Sequence, residues 1–342
     1  MTYRRFSPSH LSLFFVPAVT FLLINAPVTA QVKSPAVQSA AKIWTQPRTP
    51  DGHPDLQGVW TYSTLTPLER PLDLGAKRFF TEREAAEREK LVLQLTNADR
   101  EDGPARKDVG SYNQIFYERG TKLALVDGQI PTSLIIDPPE GRIPPLTPEA
   151  QKREAARRES RSKRGPADSW TDRDLAERCL TRSAPKLSGG YNNIVQIVQT
   201  RDSIALMQEM LHEVRVIRLD GSPHLPPSVR LWLGDSVAHW DGETLVVDTT
   251  NYNDDVRFAS FNCCGRAGAG LHIVERFRRV DENTIDYRYT VDDPSMFTRP
   301  WTVVLPLNRT GEQMYEYACH EANYAMEGIL KGARTEDATR KK

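Results

Sequence analysis

The sequence predicts a mainly β protein with an α-containing N-terminal part, its C-terminal half closing as an antiparallel up-and-down β-barrel, with a β-sandwich as the alternative. Three observations carry this. Short apolar segments follow one another closely from Tyr191 onward; Asp-Gly, Asp-Pro and Thr-Gly pairs punctuate them; and several alternate polar with apolar residues at period two. Segments 193–199, 204–211, 214–219, 229–233, 244–250, 271–280, 285–291, 301–307 and 314–319 read as strands. Leu271, Ile273, Glu275 and Phe277 alternate with His272, Val274, Arg276 and Arg278, and Ile285, Tyr287, Tyr289 and Val291 alternate with Asp286, Arg288, Thr290 and Asp292. Short connections force antiparallel neighbours, because a parallel return needs a crossover of a dozen or more residues. A sheet of that many strands hides its edges by closing.

The N-terminal elements follow in order. Residues 51–60, from Asp51-Gly52 to Val59-Trp60, pass from turn chemistry into a first strand, and the strand around Trp60 is expected to help close the barrel. Thr81-Glu82-Arg83-Glu84 has the spacing of a capping box and opens a helix to about Leu95, with a charged exposed loop over 97–107. Residues 133–144 read as a short strand, a Pro/Gly turn and an extended exit. Thr147-Pro148-Glu149 supplies an N-cap, a first-turn proline and a first-turn acid to a helix reaching about Lys163. Seven Lys or Arg and three Glu over 147–165 make that helix locally basic, a pattern that fits a solvated face better than an anionic contact. The divisions are a leader over 1–30, a linker over 31–50, a first strand with helices and loops over 51–190, the barrel over 191–330 and a polar tail over 331–342.

Composition sets the outer limits. The chain has 342 residues with 45 Lys and Arg against 45 Asp and Glu, so no global basic footprint points to nucleic acid, and no repeated apolar spans point to a polytopic membrane protein. Arg4 and Arg5, the apolar run from Leu11 to Leu23 broken by Pro17, and Val28-Thr29-Ala30 read as a secretory signal cleaved near Ala30. Cleavage leaves no stable membrane span, places the mature protein in the periplasm or outside the cell, and puts Cys179, Cys263, Cys264 and Cys319 where disulfides form. Since the adjacent Cys263 and Cys264 bond poorly to each other, bridges from each to Cys179 and Cys319 are expected.

No GxSxG elbow, HExxH, Walker loop or dinucleotide fingerprint is present, and no cofactor is expected; the glycine-rich run 265–270 reads as a hairpin loop. The candidate chemistry is acid/base. His212 and His320 are the proton-transfer candidates, with Glu209 and Glu321 placed to orient them and Arg218 to stabilise developing negative charge. A histidine and carboxylate set for a metal, His212, His272 and His320 with Glu209 or Glu275, is a weaker option, since no spacing requires it, and so is calcium at Asp248, Asp254 and Asp255. The density of aromatics in the β-rich half suits a cavity for a small apolar or aromatic ligand.

Five stretches, PDLQGVW at 54–60, DPPEGR at 137–142, WDGETLVVDTT at 240–250, DDP with TRPW at 292–301 and YEYACHE at 315–321, together resemble a group of exported bacterial proteins of uncharacterised function. The resemblance implies export and brings no catalytic residues with it. The strand pattern is also similar to lipocalin-like barrels, which implies a fold only. The expectation is an exported barrel that holds a small apolar molecule and performs cofactor-free lyase, isomerase or hydrolase chemistry on it. The alternatives are a carrier without chemistry and an envelope protein contacting partners through the basic helix. Oligomeric state is open.

Overall fold

A computed structural model describes residues 44–100, 113–182, 185–256, 270–321 and 323–340. The expected leader, most of the linker, Cys263 and Cys264, the glycine-rich run up to residue 269 and much of the charged 97–107 loop lie outside these residues. In chain order the elements are β1 (Gly58–Thr61), β2 (Phe79–Phe80), α1 (Glu82–Thr96), β3 (Ile130–Pro131), β4 (Ile135–Asp137), α2 (Pro148–Ser162), β5 (Ile194–Gln199), β6 (Ser203–Gln208), β7 (Val214–Arg218), β8 (Asp235–Asp241), β9 (Thr244–Thr250), β10 (His272–Arg279), β11 (Thr284–Asp292), β12 (Trp301–Val304), β13 (Leu307–Arg309) and α3 (Tyr324–Arg340).

The protein is mainly β, and nine strands close into a barrel. β1 lies between β5 and β13, the ring then runs through β6, β7, β8, β9 and β10, and β10 pairs with β11 to complete it. β11 is shared on its other side: Thr284 and Ile285 face β13, while Arg288 to Val291 face β12, which carries β4 outside the ring. Closure leaves the ring no free edge, so the sandwich alternative does not apply. The alternation read from sequence is the inside–outside alternation of the wall. Ile273, Glu275, Phe277, Ile285, Tyr287, Tyr289 and Val291 are buried and point inward.

The expectation of a fully antiparallel meander needs correction at one seam, because β7 and β8 are parallel, with Ile217 opposite Ser236. The sixteen-residue connection between them, 219–234, is the long crossover that a parallel pair demands. Segment 229–233, expected as a strand, lies in this connection, where Leu231 forms an isolated parallel bridge with Tyr252. The true strand begins at Asp235, whose inward positions are Ser236, Ala238 and Trp240, too weakly apolar to show a period of two. Segment 314–319, also expected as a strand, is irregular, and the expected polar tail is helical to Arg340. Gly328 and Gly332 mask that helix in the sequence, because glycine lowers helix propensity.

Both N-terminal helices form as expected. Thr81 Oγ1 accepts from Glu84 N–H while the Glu84 carboxylate accepts from Thr81 N–H, and Thr147 Oγ1 accepts from Ala150 N–H. α1 covers a small cluster of Leu65, Ala85 and Leu123, separate from the main core. α2 starts against the β11–β12 turn, where Thr147 N–H donates to Met296 O at 2.9 Å. Cys179 and Cys319 form a disulfide with each other, which corrects the expected bridges to Cys263 and Cys264. Among the described residues, no helix is long and apolar enough to cross a membrane.

Candidate functional site

The barrel interior is graded from apolar to charged. Val195, Ile197, Leu206, Phe277, Leu305 and Leu307 wall a cavity of about 40 Å³ whose remaining lining includes Tyr62, Lys186, Gln208, Glu213, Arg215 and Tyr287. The polar residues at one end of the barrel are placed by strand ends: Tyr62 follows β1, Gln208 ends β6, Glu213 immediately precedes β7 and Arg215 is the second residue of β7. Leu233 reaches the same end because Gly234 takes a left-handed φ of 72°, where a Cβ would lie 2.6 Å from Thr249 Cγ2. Deeper in, the Arg215 guanidinium forms a two-pronged pair with Glu275, one bond measuring 2.8 Å, and the Tyr287 hydroxyl donates to Glu275 Oε1 at 2.7 Å. Burial alone would lower the Arg215 pKa, but Glu275 outweighs it and holds the guanidinium above its ordinary value. Burial above all keeps the Tyr287 phenol neutral, with the Glu275 charge adding to it.

At the mouth, Lys186 pairs with Glu213, and both side chains are more than nine-tenths buried. Glu213 Oε1 also accepts from Arg182 N–H at 3.2 Å. Burial pushes the Lys186 amine below the ordinary lysine value, and Glu213 offsets only part of this. Gln208 Oε1 is buried at the cavity and has no hydrogen-bond partner among the described residues. A buried acceptor without a donor carries a desolvation cost of about 1–3 kcal/mol, which a ligand hydroxyl or a water would remove.

A second polar constellation lies on the outer wall, across β7, β8, β9 and β10. Arg218 Nη2 donates to both oxygens of Asp235 at 2.9 and 3.0 Å. His224, in the crossover, sets Nδ1 2.8 Å from Asp235 Oδ2 and Nε2 3.0 Å from Asp248 Oδ1. Asp248 Oδ2 is 2.8 Å from His272 Nε2. With a carboxylate oxygen at each ring nitrogen, both His224 bonds are made only by the doubly protonated ring. Burial would raise the Asp235 carboxyl, but the Leu225 N–H, the His224 ring and Arg218 together hold it below the ordinary aspartate value. Asp235 is the buried member at 6% side-chain exposure, against 39% for Asp248 and 36% for His272, whose Nδ1 has no hydrogen-bond partner among the described residues.

The five residues expected to form a site do not converge. Glu209 is buried at the end of β6, where Oε1 accepts from Tyr315 N–H at 3.1 Å. Its backbone oxygen receives His212 N–H, yet the His212 side chain is exposed. His320 and Glu321 are exposed beyond the disulfide, and Arg218 belongs to the outer-wall chain. None of the five lines the cavity. The metal set fails on strand parity: His272 points outward and Glu275 inward on β10, and no group of three or more potential ligands among the described residues could hold an ion. Asp248 serves two histidines instead of a calcium ion. Sequence reasoning missed His224, Asp235, Lys186 and Glu213 as site residues, since no motif spacing links the partners, which lie 11 and 27 residues apart and are brought together by loops packed on the strands. Comparison of the chain with protein-family models, curated proteins and solved structures finds no match.

Proposed function

We propose that this is an exported binding protein that holds a small, largely apolar molecule in the barrel interior, with the molecule's polar end toward Lys186, Glu213 and Gln208. The observation that carries this is the gradient inside one cavity, aliphatic walls ending in a buried ion pair and an unsatisfied acceptor. The present volume of about 40 Å³ suits a molecule of a few heavy atoms; a longer one must displace the side chains at the mouth. Export rests on the leader and on the resemblance to exported bacterial proteins, and the disulfide fits an oxidising compartment. The test is a titration with 1-propanol followed by methyl NMR. Saturable shifts are expected at the methyls of Ile197, Leu206, Leu305 and Leu307 and lost in Leu206→Trp, which fills the space. Shifts scattered over surface methyls would remove the interior-ligand reading.

A second reading, acid/base chemistry, is favoured by the outer-wall histidines. Asp248 behind His272 fixes the ring tautomer and leaves Nδ1 as a solvent-facing base, the arrangement expected earlier of a histidine and glutamate pair. Once a substrate is in hand, His272→Gln and Asp248→Asn distinguish the readings: a carrier keeps its ligand affinity in both, whereas an enzyme of this design loses turnover in both.

A further inference from the structure

We propose that Lys186 makes the cavity a covalent carbonyl site, taking a short aldehyde or ketone as an imine. The inference rests on the interior-ligand reading and names its ligand class. Among the cavity-lining residues, Lys186 supplies the primary amine, on a side chain that is 9% exposed, against walls of Val195, Ile197 and Leu206. Its partner Glu213 is 7% exposed and is itself anchored by the Arg182 N–H. The Lys186 ammonium can hand one proton to the Glu213 carboxylate along their hydrogen bond, which frees the amine lone pair in apolar surroundings. The lowered basicity of the buried amine points the same way.

The neutral amine is the nucleophile. The Lys186 Nζ lone pair adds to the carbonyl carbon while the carbon–oxygen π pair moves to oxygen. Glu213 delivers its proton to that oxygen and takes one from nitrogen, giving a carbinolamine. The nitrogen lone pair then expels the hydroxyl, which leaves as water with a proton from Glu213, and the C=N bond remains. One water is released and no electrons are exchanged with another reactant, so amine, carbonyl and the Glu213 proton balance the step. The apolar walls exclude water and so disfavour hydrolysis of the imine, a setting in which desolvated lysines act on carbonyls.

The experiment uses the mature chain with propanal and cyanoborohydride, which reduces an imine to a stable secondary amine. Peptide mapping by mass spectrometry then locates the added propyl group. Lys186 is expected to label measurably faster near neutral pH than the exposed Lys331, since an amine of lowered basicity is free of its proton more often. Its rate should also level off at lower pH than that of Lys331. Lys186→Arg keeps a cation for Glu213 but forms no imine, so the fast label should vanish while surface labelling persists; should this variant not fold, the mapped rates and pH profile of the unaltered chain decide alone. Adding 1-propanol, which has no carbonyl, should slow labelling at Lys186 only. Labelling of Lys186 no faster than Lys331, with 1-propanol still shifting the cavity methyls, overturns the carbonyl inference and leaves the cavity reading standing. If 1-propanol shifts nothing, the cavity reading falls as well.

Discussion

Glu275 illustrates what a single residue can and cannot announce. It sits at an inward position of β10 with no exposed surface, and alternation in the sequence already places it on the apolar side of the strand. Its partners Arg215 and Tyr287 stand 60 and 12 residues away, so the sequence offers no sign that the charge is answered. Removing one member of a buried pair strands the other. Glu275→Gln is therefore expected to cost about 3–5 kcal/mol in urea unfolding, and Arg215→Met with Glu275→Leu should recover most of it. A double variant as unstable as the single one would show that the pair does more than satisfy itself. Asp235 offers a test with a pH sign. Its folded pKa lies below the ordinary aspartate value, so its stabilisation is complete above that value and is lost as pH falls through the folded pKa. Asp235→Asn should cost about 1.5–3 kcal/mol at neutral pH, from its charged hydrogen bonds, and the gap to the unaltered protein should close only below about pH 4. A gap that instead changes between pH 5 and 7 would assign the effect to a histidine.

At the scale of elements, β1 joins the two halves of the chain. Trp60 is fully buried, donates its indole N–H to Leu56 O at 3.1 Å, and has the guanidinium groups of both Arg279 and Arg309 over its ring. Because β1 bridges β5 and β13, a defect there opens the ring. Trp60→Ala should lose roughly 3–5 kcal/mol, whereas Val216→Thr, on the outward face of β7 and 58% exposed, should stay within about 0.5 kcal/mol; equal losses in thermal and urea melts would contradict the assigned faces. The closing role of β1, the alternation of β10 and β11 and both helix caps were legible, because each depends on neighbours close in sequence or on a strong period. β8 was not, because Ser236, Ala238 and Trp240 give no apolar rhythm, and the apolar segment 229–233 beside it drew the assignment away. The outer-wall chain depends on that same seam: the parallel β7–β8 pair places Arg218 beside Asp235, and the crossover carries His224 between Asp235 and Asp248.

For the whole molecule, the disulfide ties the segment between β1 and β5 to the segment after β13 across 140 residues. A loop of that length removes enough freedom from the unfolded chain to contribute up to about 5 kcal/mol in the chain-entropy account. Replacing Cys179 and Cys319 together by Ala should lower stability by a large part of this with the barrel's circular-dichroism spectrum retained, and an unchanged unfolding midpoint would show that the bridge constrains little. By itself, the sequence determined the fold class, the inward face of β10 and β11, the caps of two helices and the absence of established catalytic motifs. Those properties follow from local chemistry and from periodicity, which a linear chain displays. Only the tertiary structure decided that the ring contains a parallel seam, that Cys179 bonds to Cys319, that Lys186 meets Glu213 at a cavity, and that Asp248 lies between two histidines. Each is a meeting of residues distant in the chain, fixed by strand register and barrel closure, and the linear order of residues carries no measure of that distance.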